Sequence, residues 1–195
     1  MNWNEGMIAR AISMQTLARK CVVLVDNCNW TGHECDVLGV TTDLRIIDVE
    51  IKISRSDLKA DAKKEKWWQY VGEAGHLGAI SKYFGAHSKS LREHPPKVWK
   101  HYYALPKEIW KPELLDSLPS KASGVLLLGQ GKWDGIDVEC VRRATPNKDA
   151  TRLTAESVMD IARLANIRMW EAYKRKEDAQ AEASRLYKQF RSVSQ

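Results

Sequence analysis

Residues 45–61 read RIIDVEIKISRSDLKAD, and the first ten of them have the composition of a buried strand. Side chains alternate across a strand. Ile47, Val49, Ile51 and Ile53 therefore face one way, into a core, and Asp48, Glu50, Lys52 and Ser54 face the other. A wet edge strand would explain the charged face blandly. For an isolated Glu-x-Lys that is the ordinary explanation, and only its context brings in the other, a site that needs acids and a lysine side by side. From Ser54 the pattern turns helical. Leu58, Ala62 and then Trp67 or Tyr70 give an apolar stripe over 54–72, with Ser56 or Asp57 placed to cap it.

Working towards the N-terminus, CDVLGVTT (35–42) is a second strand, joined to the first by a short turn, and CVVLVDNCNW (21–30) is a third. Residues 3–19 carry Met7, Ile8, Ala11, Ile12 and Leu17 at helical spacing, with Glu5 in the first turn, where an acid suits the helix dipole. The expectation is a helix followed by an antiparallel three-stranded meander. Working the other way, HYYALP (101–106) is a strand closed by Pro106, and KEIWKPELLDSLP is a short helical connection. SGVLLLGQ (123–130) and GIDVECVRRA (135–144) form a hairpin around GKWD. From about Thr154 a long helix runs on, with Val158, Ile161, Ala162, Ala165 and Met169 as its stripe and Leu164 on the flank. The fold class is α/β (α+β): a mixed central sheet flanked by helices, with a long C-terminal helix. Residues 1–150 form the main domain, with 73–98 as an insertion over the site, and 151–195 a helical extension.

The meander brings Asp36, at the start of one strand, beside Glu50 on the next. Two carboxylates in contact repel unless a cation lies between them. Mg²⁺ is the natural ion, being hard, oxygen-liganded and retentive of its waters, and Mn²⁺ can take its place. Lys52 points into the same pocket, where it can orient a water or steady charge on a phosphate. Asp, then Glu-x-Lys after 13 intervening residues, is a kit for phosphodiester hydrolysis.

Bulk properties fit that chemistry. The net charge is +6 and unevenly spread. Residues 1–51 hold 4 Lys/Arg against 7 Asp/Glu, whereas residues 52–100 hold 11 against 5. A basic surface beside an acidic spot suits a polyanion held near a metal. No apolar run approaches the ~20 residues of a membrane helix, and no secretory signal is evident at the N-terminus. Neither a membrane partner nor export is expected, and the four cysteines, none in a CxxC pair, read as reduced cytoplasmic thiols. The Cys28–His33–Cys35 spacing matches no zinc pattern.

The order of elements, ECDVLGV...IIDVEIKIS, EIKISRSDLKAD, KKEKWW, HYYALP and SGVLLL resemble the PD-(D/E)XK nuclease superfamily, and within it the MmcB-like DNA-repair group. The resemblance spans residues 3–145 and implies a restriction-endonuclease-like core. It makes Asp36 and Glu50 metal ligands, Lys52 the catalytic lysine, the carbonyl of Ile51 a further ligand and Glu5 an added acid from the first helix. It implies DNA as partner and a 5′-phosphate product. Two departures stand out: Cys35 replaces the motif's proline, and the insertion and long C-terminal helix lie outside the shared core.

Other residues keep two readings each. Arg55, Lys59, Lys63, Lys64 and Lys66 hold phosphates or form a solvated helix face. Asp48 and Ser54 support the site from behind, unless Asp48 is exposed or lysine-paired. Asp57 and Asp61 match the family run but also suit capping and surface pairing. Trp67 and Trp68 stack on bases, or at least one lies in the core. Trp133 suits a loop-tip contact. Two functional rivals remain: a non-catalytic nucleic-acid-binding accessory protein on the same fold, and an interaction protein that forms a homodimer through the C-terminal helix.

Overall fold

The computed structural model describes residues 2–71, 88–132 and 135–193. The expected insertion therefore falls mostly outside the described residues, as does Trp133.

The first helix, α1 (Glu5–Ile12), is capped by Asn4, whose side chain accepts a hydrogen bond from the Met7 amide. A π-helical turn over Ser13–Leu17 continues it. Strands β1 (Cys21–Cys28), β2 (Cys35–Thr41) and β3 (Ile46–Ile51) then form the antiparallel meander. The β1–β2 connection turns at Gly32, whose φ of 95° lies in the left-handed region that glycine adopts freely. After β3 come a short helix α2 (Arg55–Ala60), a two-stranded ribbon of β4 (Trp68–Val71) with β5 (Ser88–Leu91), and β6 (Val98–Pro106). Strand β6 lies parallel to β3, and β7 (Gly124–Gln130) parallel to β6. Strand β8 (Ile136–Arg142) closes a hairpin with β7. The order β1-β2-β3-β6-β7-β8 makes a six-stranded mixed sheet among the described residues. Helix α3 (Ala155–Val193) follows.

The two sheet faces are used differently. On one, Ile47, Val49 and Ile51 meet Ile8, Ala11 and Ile12 of α1, together with Ala104, Leu126 and Leu128. Each buried Ile, Leu or Val side chain there contributes roughly 1.5–3 kcal/mol. Ile53 does not join them. It lies past the end of β3, where the alternation stops, and is 43% exposed. The other face carries two separate apolar clusters. One joins β1, β2 and the first turns of α3 through Val25, Leu38, Val40, Ile46 and Ile161. The other joins β6, β7 and α2 through Leu58, Trp67, Tyr103, Leu105, Val125 and Leu127. Between them run the charged side chains of β3.

Two elements differ from the expected pattern. The helix over 54–72 stops at Ala60 and gives way to 3-10 turns at 61–63 and 65–67. Its N-cap is Ser54, neither Ser56 nor Asp57, and the Ser54 hydroxyl accepts from the Asp57 amide. The break has a packing cause. Asp61, Lys66 and Trp67 are all buried, yet on a continuous helix Asp61 and Lys66 would point about 140° apart. In α3, Val158, Leu164 and Ala165 pack as expected beside Ile161, but Met169 is 44% exposed. A helix of 39 residues extends about 58 Å, more than twice the length of the strand it packs on, so its second half outruns the sheet.

Candidate metal centre

The parallel pairing sets Asp48 opposite His101 and Glu50 opposite Tyr103, all on the face that holds the polar strip. Asp48, Glu50, Lys52, Asp61, Lys66 and His101 are each no more than 6% exposed. Charges so deeply buried are stable only when paired. Lys52 Nζ lies 2.9 Å from Glu50 Oε1, 3.3 Å from Asp61 Oδ1 and 3.9 Å from Asp57 Oδ2. Lys66 Nζ donates to Glu50 Oε2 at 2.7 Å. Lys64 Nζ reaches Glu50 Oε1 and sits 3.0 Å from Asp61 Oδ1. Burial works against the Lys66 ammonium, but Asp48, Glu50 and Asp61 outweigh it and raise its pKa.

Asp61 anchors this cluster to the core. Its Oδ2 accepts from Tyr103 Oη at 2.5 Å and from Trp67 Nε1 at 3.0 Å. Burial alone would raise its pKa; Lys66, the Tyr103 hydrogen bond and Lys52 together hold it well below the carboxylate range. Thus Asp61 ends α2 as its C-cap and pairs with Lys64, but its side chain is buried and also serves the core, where Trp67 lies.

Asp36 is partly exposed at the start of β2. The Ile51 amide donates to its Oδ2 at 2.6 Å, which fixes the carboxylate against the end of β3. Burial, then repulsion from Glu50, pushes its pKa up to about 6, and Glu5 adds to the repulsion from the exposed first turn of α1. Asp36, Glu50 and Glu5 do not form a tight three-carboxylate group, however. Among the described residues, two groups bring their ligand atoms within 4.8 Å of one another: Asp48, Glu50 and His101, and His33, Cys35 and Asp48. The first can bind a metal ion.

Asp48 is the point shared by both groups and is fully buried, which excludes the solvent-exposed reading. A lysine does not claim it: His33 Nε2 lies 3.1 Å from its Oδ2 and His101 Nε2 3.9 Å. Burial opposes its ionisation, but the His33 hydrogen bond and the neighbouring His101 and Lys66 hold its pKa down to about 2. Burial dominates at His101, whose pKa falls to about 3, so its imidazole is neutral. The Oγ of Ser123 lies 3.0 Å from His101 Nδ1 and fixes the ring.

The basic residues divide. Lys66 does not face phosphate, because its ammonium is buried against Glu50. Lys64 also turns inward, although its side chain is 48% exposed. Lys59 and Lys63 are exposed, and Arg55 is exposed with its Nε donating to the Ile109 carbonyl at 2.6 Å. A cavity of about 460 Å³, walled by Thr31, Gly32, His33, Glu34, Lys64, Glu65, Lys66 and Pro96, leads from solvent to the cluster.

His33, His101 and Tyr103 line the site and are not among the site residues expected from the sequence. The signal for His101 and Tyr103 is their alternate spacing on a strand, but only the β3–β6 register places them beside the acids.

No family model matches the chain, and no curated protein is similar to it. A solved structure of a protein of unknown function from Silicibacter pomeroyi is similar in fold. Its TM-score is 0.53, with 21% identity over 92% of this chain and 96% of that one. Among the described residues, no helix is long and apolar enough to cross a membrane.

Proposed function

We propose that the chain is a Mg²⁺-dependent deoxyribonuclease of the PD-(D/E)XK type, near the MmcB-like group, acting as an endonuclease on cytoplasmic DNA. The observation that carries this reading is the Asp36–Glu50–Lys52 arrangement. Asp36 is pinned to the Ile51 amide within repulsive range of Glu50, and Lys52 hydrogen-bonds to Glu50. Hard oxygen donors under mutual repulsion fit a Mg²⁺ or Mn²⁺ ion, with Asp36, Glu50 and the Ile51 carbonyl as its protein ligands. Glu5 is better placed to tune Asp36 than to bind the ion.

Such an ion would polarise the phosphodiester and favour ionisation of a water. The residues do the rest. Lys64, half-exposed, is the ammonium that swings off Glu50 to admit a cation. Lys52, held between Glu50 and Asp61, orients the attacking water and stabilises charge developing on phosphorus-bound oxygen. Arg55, Lys59 and Lys63 hold the DNA backbone, and by the resemblance the product carries a 5′-phosphate. A panel of single-stranded, branched and duplex DNA with Mg²⁺ or Mn²⁺ tests the proposal. Wild type is expected to cut at least one substrate and Glu50→Ala none. DNA binding without metal-dependent cleavage on any substrate would favour the accessory-protein reading.

A second reading, homodimerisation through α3, is compatible with the first. It is supported by Trp170, Tyr173, Tyr187 and Phe190, all more than half exposed on α3.

A further inference from the structure

We propose that His33, Cys35 and Asp48, whose ligand atoms lie within 4.8 Å of one another, form a second metal site, separate from Asp36, that takes one transition-metal ion of the Zn²⁺ class, with His101 reaching the shared Asp48 carboxylate from β6. Four observations converge on it. The donor set is nitrogen, sulfur and oxygen, which suits a borderline-soft ion and not Mg²⁺. The distances fit. Bonds of about 2.0–2.3 Å in a tetrahedron put ligand atoms about 3.3–3.8 Å apart. His33 Nε2 lies 3.1 Å from Asp48 Oδ2 and 3.8 Å from Cys35 Sγ, and His101 Nε2 lies 3.9 Å from Asp48 Oδ2.

The third observation is unspent bonding capacity. Asp48 Oδ1 and His101 Nε2 are buried and have no hydrogen-bond partner among the described residues. Buried polar atoms are nearly always satisfied, and His101 and Asp48 are 1% and 0% exposed. The fourth is a supporting shell with an entrance. Ser123 Oγ, 3.0 Å from His101 Nδ1, is placed to accept from that nitrogen, which would leave Nε2, on the Asp48 side, as the ligating atom, the role outer-shell partners of metal-bound histidines play. The cavity beside His33 and Lys66 supplies the path from solvent. Cys28, opposite Cys35 on β1, stays in the apolar cluster and outside both groups. On binding, the Cys35 thiol releases its proton and His33 carries its own on Nδ1.

The test uses the full chain without DNA or Mg²⁺, so nuclease failure cannot affect its outcome. After dialysis, elemental analysis is expected to find one zinc per chain. Co²⁺ in its place should give a near-ultraviolet thiolate-to-cobalt band and the visible absorption of a tetrahedral ion. Cys35→Ser should abolish the thiolate band, whereas Cys140→Ser should keep it. Ser123→Ala should weaken zinc affinity about 10- to 100-fold in chelator competition. Because Cys35 is fully buried, His33→Ala, at a side chain 12% exposed on the cavity wall, provides a milder variant, with circular dichroism reporting folding. Folded His33→Ala is expected to lose the stoichiometric metal. Absence of bound zinc and cobalt in wild type would overturn the site, as would a thiolate band that survives Cys35→Ser or full metal retention by His33→Ala.

Discussion

Replacing Asp61 by Asn keeps the shape of the side chain and removes its charge. In the structure Asp61 receives the Tyr103 hydroxyl at 2.5 Å and the Trp67 indole at 3.0 Å, with Lys64 and Lys52 at 3.0 and 3.3 Å. Hydrogen bonds to a charged group contribute about 1.5–3 kcal/mol each, and a neutral amide retains a fraction of that. The larger loss is electrostatic: buried ammonium groups are left with one carboxylate fewer, and breaking a buried pair costs about 3–5 kcal/mol. The expected destabilisation at neutral pH is about 3–5 kcal/mol, read as a drop in urea midpoint at unchanged slope. The pH dependence has a definite sign. The folded-state pKa of Asp61 is depressed, so its stabilisation is complete above the ordinary carboxylate pKa of about 3.9 and is lost as pH falls through the lower folded value. The gap between wild type and Asp61→Asn should therefore narrow only in acid. A loss under about 1 kcal/mol at neutral pH, below even a median single substitution, would refute the claim that Asp61 balances the lysine cluster.

The lysines should separate by role. Lys59→Ala and Lys63→Ala are expected to leave stability within about 0.5 kcal/mol of wild type and each to reduce the salt slope of DNA binding by about 0.9. Lys66→Ala should leave that slope unchanged and destabilise by about 3 kcal/mol, since it removes the buried ammonium from Glu50 Oε2 and leaves only Lys52 and Lys64, both on Oε1; equal slopes in all three variants would contradict the division. Ending the chain at residue 175 should halve the mass seen by light scattering if α3 dimerises. An unchanged mass would remove that reading.

Much of the fold was legible because strand alternation is strict. Ile47, Val49 and Ile51 could face only one way, and one buried face fixes the other as the place for Asp48, Glu50 and Lys52. The long helix was legible from its stripe, but not the point where it leaves the sheet, because that depends on the length of β1. The site was less legible for two physical reasons. The alternation of KKEKWW carries no sign that the backbone breaks at Lys64 to bury Lys66 and Trp67 on one side. The β3–β6 register, which sets His101 against Asp48, is fixed by long-range pairing that local pattern does not encode. Asp48 read as a supporting, exposed or lysine-paired acid for that reason: its histidine partners are 15 and 53 residues away in the chain.

In the proposed reaction Lys52 acts with Asp36 and Glu50 on a phosphodiester. The most direct test is Lys52→Ala assayed for DNA cleavage in Mg²⁺, beside DNA binding and circular dichroism on the same preparation. Lys52→Ala is expected to lose stability, because Lys52 pairs with Glu50 and Asp61, yet to stay folded under assay conditions, bind DNA with wild-type affinity and not cut it. Cleavage by Lys52→Ala at the wild-type rate would contradict the account.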